Sequence, residues 1–227
     1  MNKQQSITLC FLYCFIYLIG FPLFEMTVLS LFQSDFTIRF LNAFEWAFYL
    51  SFPMIMLKQV YHWIRKEFYI FLNKPFKNLL AILKNYGLMM LSSICLNMIL
   101  LLVFRLENSG NQTQLIEMYA SQPWKVIYAS LVFAPIVEEL VFRGALFSPF
   151  RKKNIYAGYL ISSAAFGFLH VYQSLFSGNF KDLLFILSYG LLGSYMCKTY
   201  HETDSIISSM MLHFINNFIS VILTFMI

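Results

Sequence analysis

Apolar runs long enough to cross a bilayer recur along this chain, and no other feature limits its fold as tightly. A spanning helix needs about 20 predominantly apolar residues. By that rule seven segments qualify, near residues 7–32, 38–57, 83–104, 124–147, 156–176, 183–196 and 206–226, the sixth being the shortest. Composition points the same way. Of 227 residues, 59% are hydrophobic and only 12% are charged, whereas soluble domains carry about 25% charged residues. So few charges would not cover a soluble core, while lipid accepts apolar surface on every side of a helix. The expected fold is all-α: a polytopic transmembrane helical bundle of about seven spans, in one integral membrane domain over residues 1–227.

Charge placement sets an orientation. The formal net charge of +5 comes from basic residues clustered between apolar runs. Lys58, Arg65, Lys66, Lys74, Lys77 and Lys84 form one group, and Arg151, Lys152 and Lys153 another. Cytoplasmic loops look like this. Lys3 and Lys198 fall on the same side, whereas the stretch 105–123, expected to be a loop, is long, polar and poor in basic residues. A multi-pass cell-membrane protein follows, with a cytoplasmic N-terminus, an external C-terminus and membrane lipids as its partners. A nucleic-acid partner is not expected, because that would need a basic face on a soluble fold. The first run has only Lys3 before it and no small-residue cleavage site, so a retained span is expected rather than a signal peptide. Asn111-Gln112-Thr113 forms a glycosylation sequon, a short match that is frequent by chance.

Two further features have simple readings. Val60, Ile64, Phe68, Phe71 and Leu72 recur at helical spacing with Lys58, Arg65, Lys66 and Lys74 between them, which predicts a surface-anchoring helix in the cytoplasmic interface. Cys10, Cys14, Cys95 and Cys197 lie inside apolar runs without metal-ligand spacing and read as small hydrophobes.

Against this background a few polar residues stand out. An ionised side chain at the centre of a span costs about 2.5–3.5 kcal/mol on insertion scales. The fourth run nevertheless holds Glu138, Glu139 and Arg143, the fifth His170, and the seventh His213 and Asn217. Residues of this kind inside a span are functional candidates by default.

Spacing sorts them by face. Glu139 and Arg143 are four apart and can pair on one face. Glu138 is turned by about 100° from Glu139, free of that pairing. His213 and Asn217 are also four apart; Asn216 shares their face less well. Pro135 removes one backbone hydrogen bond and favours a kink, which either opens a wet pocket beside Glu138 or merely fits the bundle. The small residues Ser162, Ser163, Ala164, Ala165 and Gly167 suit close helix approach. Counted at 1.5 Å per residue, Glu138 and His213 lie about 12–15 Å from the cytoplasmic ends of their spans and His170 about 20 Å, a mismatch that a tilt or later start of the fifth span would remove.

These segments resemble the motifs of the CAAX-protease and bacteriocin-processing family, also called the Abi family: E-E-x-x-x-R, then F-x-x-x-H, then H-x-x-x-N or H-x-x-x-D. Here they read Glu138-Glu139 with Arg143, Phe166 with His170, and His213 with Asn217, in order on three separate runs. The resemblance covers roughly residues 133–218, within the peptidase-motif spans 124–226. It implies a glutamate-dependent, metal-independent intramembrane endopeptidase that needs no cofactor. The family trims prenylated CAAX proteins, matures peptide pheromones or bacteriocins, or confers bacteriocin immunity. Carried over by residue, Glu138 would be the general base and His170 would bind and activate water. His213 and Asn217 would stabilise the oxyanion, and Glu139 and Arg143 would hold the site together. The implied substrate is a peptide or membrane-anchored protein. Amide hydrolysis needs a base for water and donors aimed at the developing oxyanion, and this set supplies both.

Other readings weigh less. Polar contacts between spans average about 0.6 kcal/mol, below the insertion cost of one charge, so tying helices together is a poor motive by itself. A non-catalytic bacteriocin self-immunity or binding protein on the same fold is the main alternative. A metallopeptidase lacks H-E-x-x-H, and adjacent Glu138 and Glu139 do not face one ion from a regular helix. A transporter would be favoured if Glu25 and Glu45 faced the same cavity as the cluster.

Overall fold

The computed structural model describes residues 1–151 and 153–226; Lys152, expected in an inner basic loop, lies outside them. Among the described residues there are nine helices and no strand. They are α1 Lys3–Leu31, α2 Asp35–Gln59, α3 Tyr61–Asn73, α4 Pro75–Phe104, α5 Gly110–Ser121, α6 over residues 123–147, α7 Ile155–Phe176, α8 Ile186–Thr203 and α9 Ile206–Met226. The helical bundle is as expected. Five helices (α1, α2, α4, α7 and α9) are long and apolar enough to cross a membrane. The count of about seven is not reached on that measure: α6 carries Lys125, Glu138, Glu139 and Arg143, and α8 carries Lys198, His201 and Glu202, which lower their apolar character.

The faces of α4 show what kind of solvent this bundle is built for. Leu80, Leu91, Met98 and Leu102 point outward, while Asn78, Asn85, Ile82 and Met89 are buried. Lipid tolerates exposed leucines, so the polar residues turn inward, where backbone and side-chain groups satisfy one another. Asn85 donates to Thr199 Oγ1 at 3.1 Å and to Glu202 Oε2 at 3.0 Å, and Ser188 donates to Asn97 at 2.7 Å. A polar seam therefore joins α4 to α8.

Helix α7 meets α8 at very short range. A Cβ at Gly167 would sit 2.6 Å from the carbonyl oxygen of Ile186 and 3.0 Å from the nitrogen of Gly190. Only glycine permits that approach, and it fixes the height of His170, one turn further along α7. The small-residue stretch thus packs, as its composition suggests.

Four sequence expectations need adjustment. The stretch 105–123 is not a plain loop, because helix α5 starts there behind the cap of Ser109, whose hydroxyl accepts from Gln112 N at 3.2 Å. The third run starts earlier, at Pro75, and the sixth runs on to Thr203 after a 3₁₀ turn at Phe180–Phe185. The amphipathic stretch 58–77 forms α3 at its centre and gives its ends to α2 and α4. Glu67 of α3 is buried and accepts from the backbone N–H of Ile206 at 3.0 Å, capping the N-terminus of α9 from a distance.

Candidate active site

Helix α6 is not a regular α-helix. Residues Ala129–Phe133 and Leu140–Phe147 adopt the wider π register, and Ala134–Glu139 between them is α-helical. The first wide turn ends just before Pro135, which has no N–H to give to the preceding turn. Ala134 N–H reaches back five residues to Ala129, and Ser148 N–H does the same to Arg143 at 2.9 Å. Wide turns of this kind are common at functional sites. Here they bracket the two glutamates.

The adjacent carboxylates diverge. Glu139 and Arg143 are both fully buried, with Glu139 Oε1 3.2 Å from Arg143 Nη1. Glu139 also receives the Ser209 hydroxyl on Oε2 at 2.5 Å, and its Oε1 lies 3.1 Å from Nδ1 of His213. Arg143 donates to the carbonyl oxygen of Gly193 at 3.2 Å and to Met196 Sδ at 2.9 Å, with its guanidinium 4.6 Å from the centre of the Phe166 ring. Glu139 and Arg143 therefore clamp α6, α8 and α9 together. Such a pair persists in low dielectric because each charge finds its opposite and further hydrogen bonds.

Glu138 turns the other way. Among the described residues its Oε2 has no hydrogen-bond partner, and it lies 3.9 Å from Nε2 of His213. The His213 ring thus stands between the two glutamates, one on each nitrogen. His170 Nδ1 lies 2.9 Å from the carbonyl oxygen of Phe166. A carbonyl only accepts, so Nδ1 carries the proton and Nε2 of the neutral ring is left as an acceptor. Tyr189 stacks on the same ring at 4.4 Å and 21°. Asn217 donates to the carbonyl oxygen of Ser130 at 2.8 Å, and Asn216 donates to Asn217 Oδ1 at 3.2 Å.

Glu138, His170, His213, Asn216 and Asn217 all line one cavity of about 710 Å³, while Glu139 and Arg143 stand behind its wall. His170 joins the cavity despite its deeper count along α7, so that count does not separate it from the others. From Glu138 the cavity extends towards α5, where Ser109, Asn111, Gln112 and Leu115 line it. Neither Glu25 nor Glu45 reaches it; Glu45 pairs with Lys125, whose side chain forms part of the wall. The feature that would favour a transporter is therefore missing. Among the described residues, no three His, Cys, Asp or Glu side chains form a group suited to hold a metal ion.

Some participants were not legible in the sequence. Ser209 and Tyr189 act through contacts between helices, and no motif marks them. Asn216 was the weaker of two neighbouring asparagines, yet both reach the cavity. Helix α5 is held over the cavity by Tyr189, whose hydroxyl contacts Ser109 at 2.7 Å and accepts from Asn111 at 3.3 Å, and by Asp182, which accepts from Gly110 N at 3.1 Å. The Asp182 carboxylate also receives the Ser174 hydroxyl.

A family model described as Rce1-like, type II CAAX prenyl endopeptidase Rce1-like, matches residues 120–219. That segment contains every cavity-lining motif residue and the Glu139–Arg143 clamp. Neither the curated proteins nor the solved structures give a match. The ordered motifs and the family model fall on the same helices: residues 120–219, less than half of the chain, are similar to the Rce1-like family of type II CAAX prenyl endopeptidases.

Proposed function

We propose that the chain is a glutamate-dependent intramembrane endopeptidase that hydrolyses a peptide bond in a membrane-associated peptide or protein. The observation that carries this reading is the split between the two glutamates: one is consumed by the clamp, while the other faces the cavity with an unpaired oxygen beside two imidazoles. A structural role would have paired both, since unsatisfied carboxylate oxygens are costly in a dry interior.

The chemistry runs through these groups. Water in the cavity gives a proton to Glu138 as its oxygen attacks the scissile carbonyl carbon. The carbonyl π pair moves onto oxygen, and donors on the opposite wall stabilise that charge. Asn217 keeps one amide hydrogen beyond the one given to Ser130. His213 gives Nδ1–H to Glu139, so it donates to an oxyanion from Nε2 only as the imidazolium. When the tetrahedral intermediate collapses, the C–N bond breaks and Glu138 returns its proton to the departing amine. No side-chain nucleophile is needed.

In the orientation expected from the basic residues, the cavity would reach towards the outer half of the membrane, beneath α5. Incubating the reconstituted chain with a prenylated CAAX-type peptide and with an unmodified apolar peptide, followed by mass spectrometry of the products, tests the activity. New internal termini from either peptide support it and select the substrate class. Intact peptides after prolonged incubation, with binding retained, would favour a capture protein instead.

A further inference from the structure

Tyr13 belongs to α1, outside the matched segment 120–219. It sits at the start of a wide π-helical stretch, Leu12–Gly20, and its ring is held by Phe142 at 5.9 Å, edge to face, and by Tyr17 at 5.4 Å. The side chain is 2% exposed, yet its hydroxyl finds no hydrogen-bond partner among the described residues. Buried polar groups are paired in the great majority of cases, so a lone phenol in this position needs a reason.

A second residue with an unpaired polar atom lines the same small space. Tyr13 and Glu138 both line a side compartment of about 160 Å³, together with His170, Asn111 and Gln173. This compartment adjoins the main cavity, with which it shares Glu138, His170, Asn111 and Gln173. The polar groups complement one another. A phenol gives one O–H, an ionised carboxylate only accepts, and Nε2 of His170 is an acceptor because Nδ1 is engaged by Phe166. The volume corresponds to a few water molecules at about 30 Å³ each, with several polar partners to hold them.

We propose that this compartment is the water site of the peptidase, and that Tyr13 is the positioning residue for the nucleophilic water. The inference rests on the peptidase reading of Glu138. A water there gives one O–H to Glu138 Oε2 and the other to His170 Nε2. The Tyr13 hydroxyl donates to one of its lone pairs. The remaining lone pair points into the main cavity, towards the scissile carbonyl carbon. In the step itself the new bond forms from that lone pair, the proton passes to Glu138, and the carbonyl π pair becomes the oxyanion. Tyr13 exchanges no proton; it fixes the direction of attack. An N-terminal helix outside the motif segment thereby completes the site.

Tyr13→Phe removes only the hydroxyl, and two readouts decide the matter in the full chain. With a cleaved peptide as substrate, kcat should fall on the order of 10²-fold, as for other single donors at a reacting centre, with KM little changed. Wild-type kcat in Tyr13→Phe, alongside an inactive Glu138→Gln, would overturn the proposal and leave the peptidase reading intact. Absence of any Glu138-dependent cleavage in the wild type would instead defeat the peptidase reading. The hydration of the compartment is then decided by thermal melting. If water holds the hydroxyl, Tyr13→Phe melts at a lower temperature. A higher melting temperature would show an unpaired hydroxyl in a dry compartment and overturn the water site.

Discussion

The carboxylate of Glu139 lies 3.1 Å from Nδ1 of His213, so a helix of the motif segment fixes an imidazole on another helix before any substrate arrives. The same carboxylate holds Arg143 and Ser209. Glu139 is thus the hub of the buried framework, and its neighbour Glu138 is left to the cavity.

Removing the hub should cost structure first. Glu139→Gln leaves the Arg143 charge buried without its partner, and breaking such a pair costs about 3–5 kcal/mol. The expected result is a sharply lower yield of folded protein in detergent and a lower melting temperature. Wild-type yield and melting would mean that the clamp contributes little.

The two asparagines should separate in kinetics. Asn217→Ala is expected to lower kcat by about 10²–10³-fold with KM little changed, because an oxyanion donor acts mainly in the transition state. Asn216→Ala removes only the contact to Asn217 Oδ1 and should have a much smaller effect. Asn217→Asp should keep partial activity when protonated. A silent Asn217→Ala with a damaging Asn216→Ala would assign the donor to the other residue.

Glu67 gives a pH dependence of stability outside the spans. Burial holds its carboxyl above the usual glutamate range, although the N–H of Ile206 works against that shift. A raised native pKa means that the folded state binds the proton more tightly than the unfolded one. Its contribution is therefore complete below the ordinary glutamate pKa and is lost as pH rises through the higher native value. Melting curves across that window should flatten in Glu67→Gln, which keeps an acceptor for Ile206. An unchanged slope would contradict the assignment.

How much of this was legible beforehand follows from what periodicity encodes. The motif residues stood out because charges inside apolar runs are costly, and i to i+4 spacing gave the Glu139–Arg143 pair directly. The glutamates beside His213 and the Tyr189 ring stacked on His170 lie on other helices, and one sequence carries no record of such contacts. Helix α5 was missed because a short polar helix lacks the apolar stripe that marks longer ones. Tyr13 was invisible for the opposite reason, as one aromatic residue within an apolar run.

The orientation is open to a direct test. A reporter inserted after Lys153 should prove cytoplasmic and one near Asn111 external, following the basic-residue asymmetry. The reverse would turn the bundle over and bring the α5 end of the cavity to the cytoplasmic side.

In the proposed mechanism Glu138 is the base and is not needed for the fold. Glu138→Gln keeps shape and burial, and among the described residues Oε2 has no hydrogen-bond partner to lose. The decisive measurement is peptide cleavage by equal amounts of folded wild type and Glu138→Gln in proteoliposomes, read by mass spectrometry. If Glu138 is the base, the variant melts like wild type and cleaves nothing; cleavage at the wild-type rate would show that another group is the base.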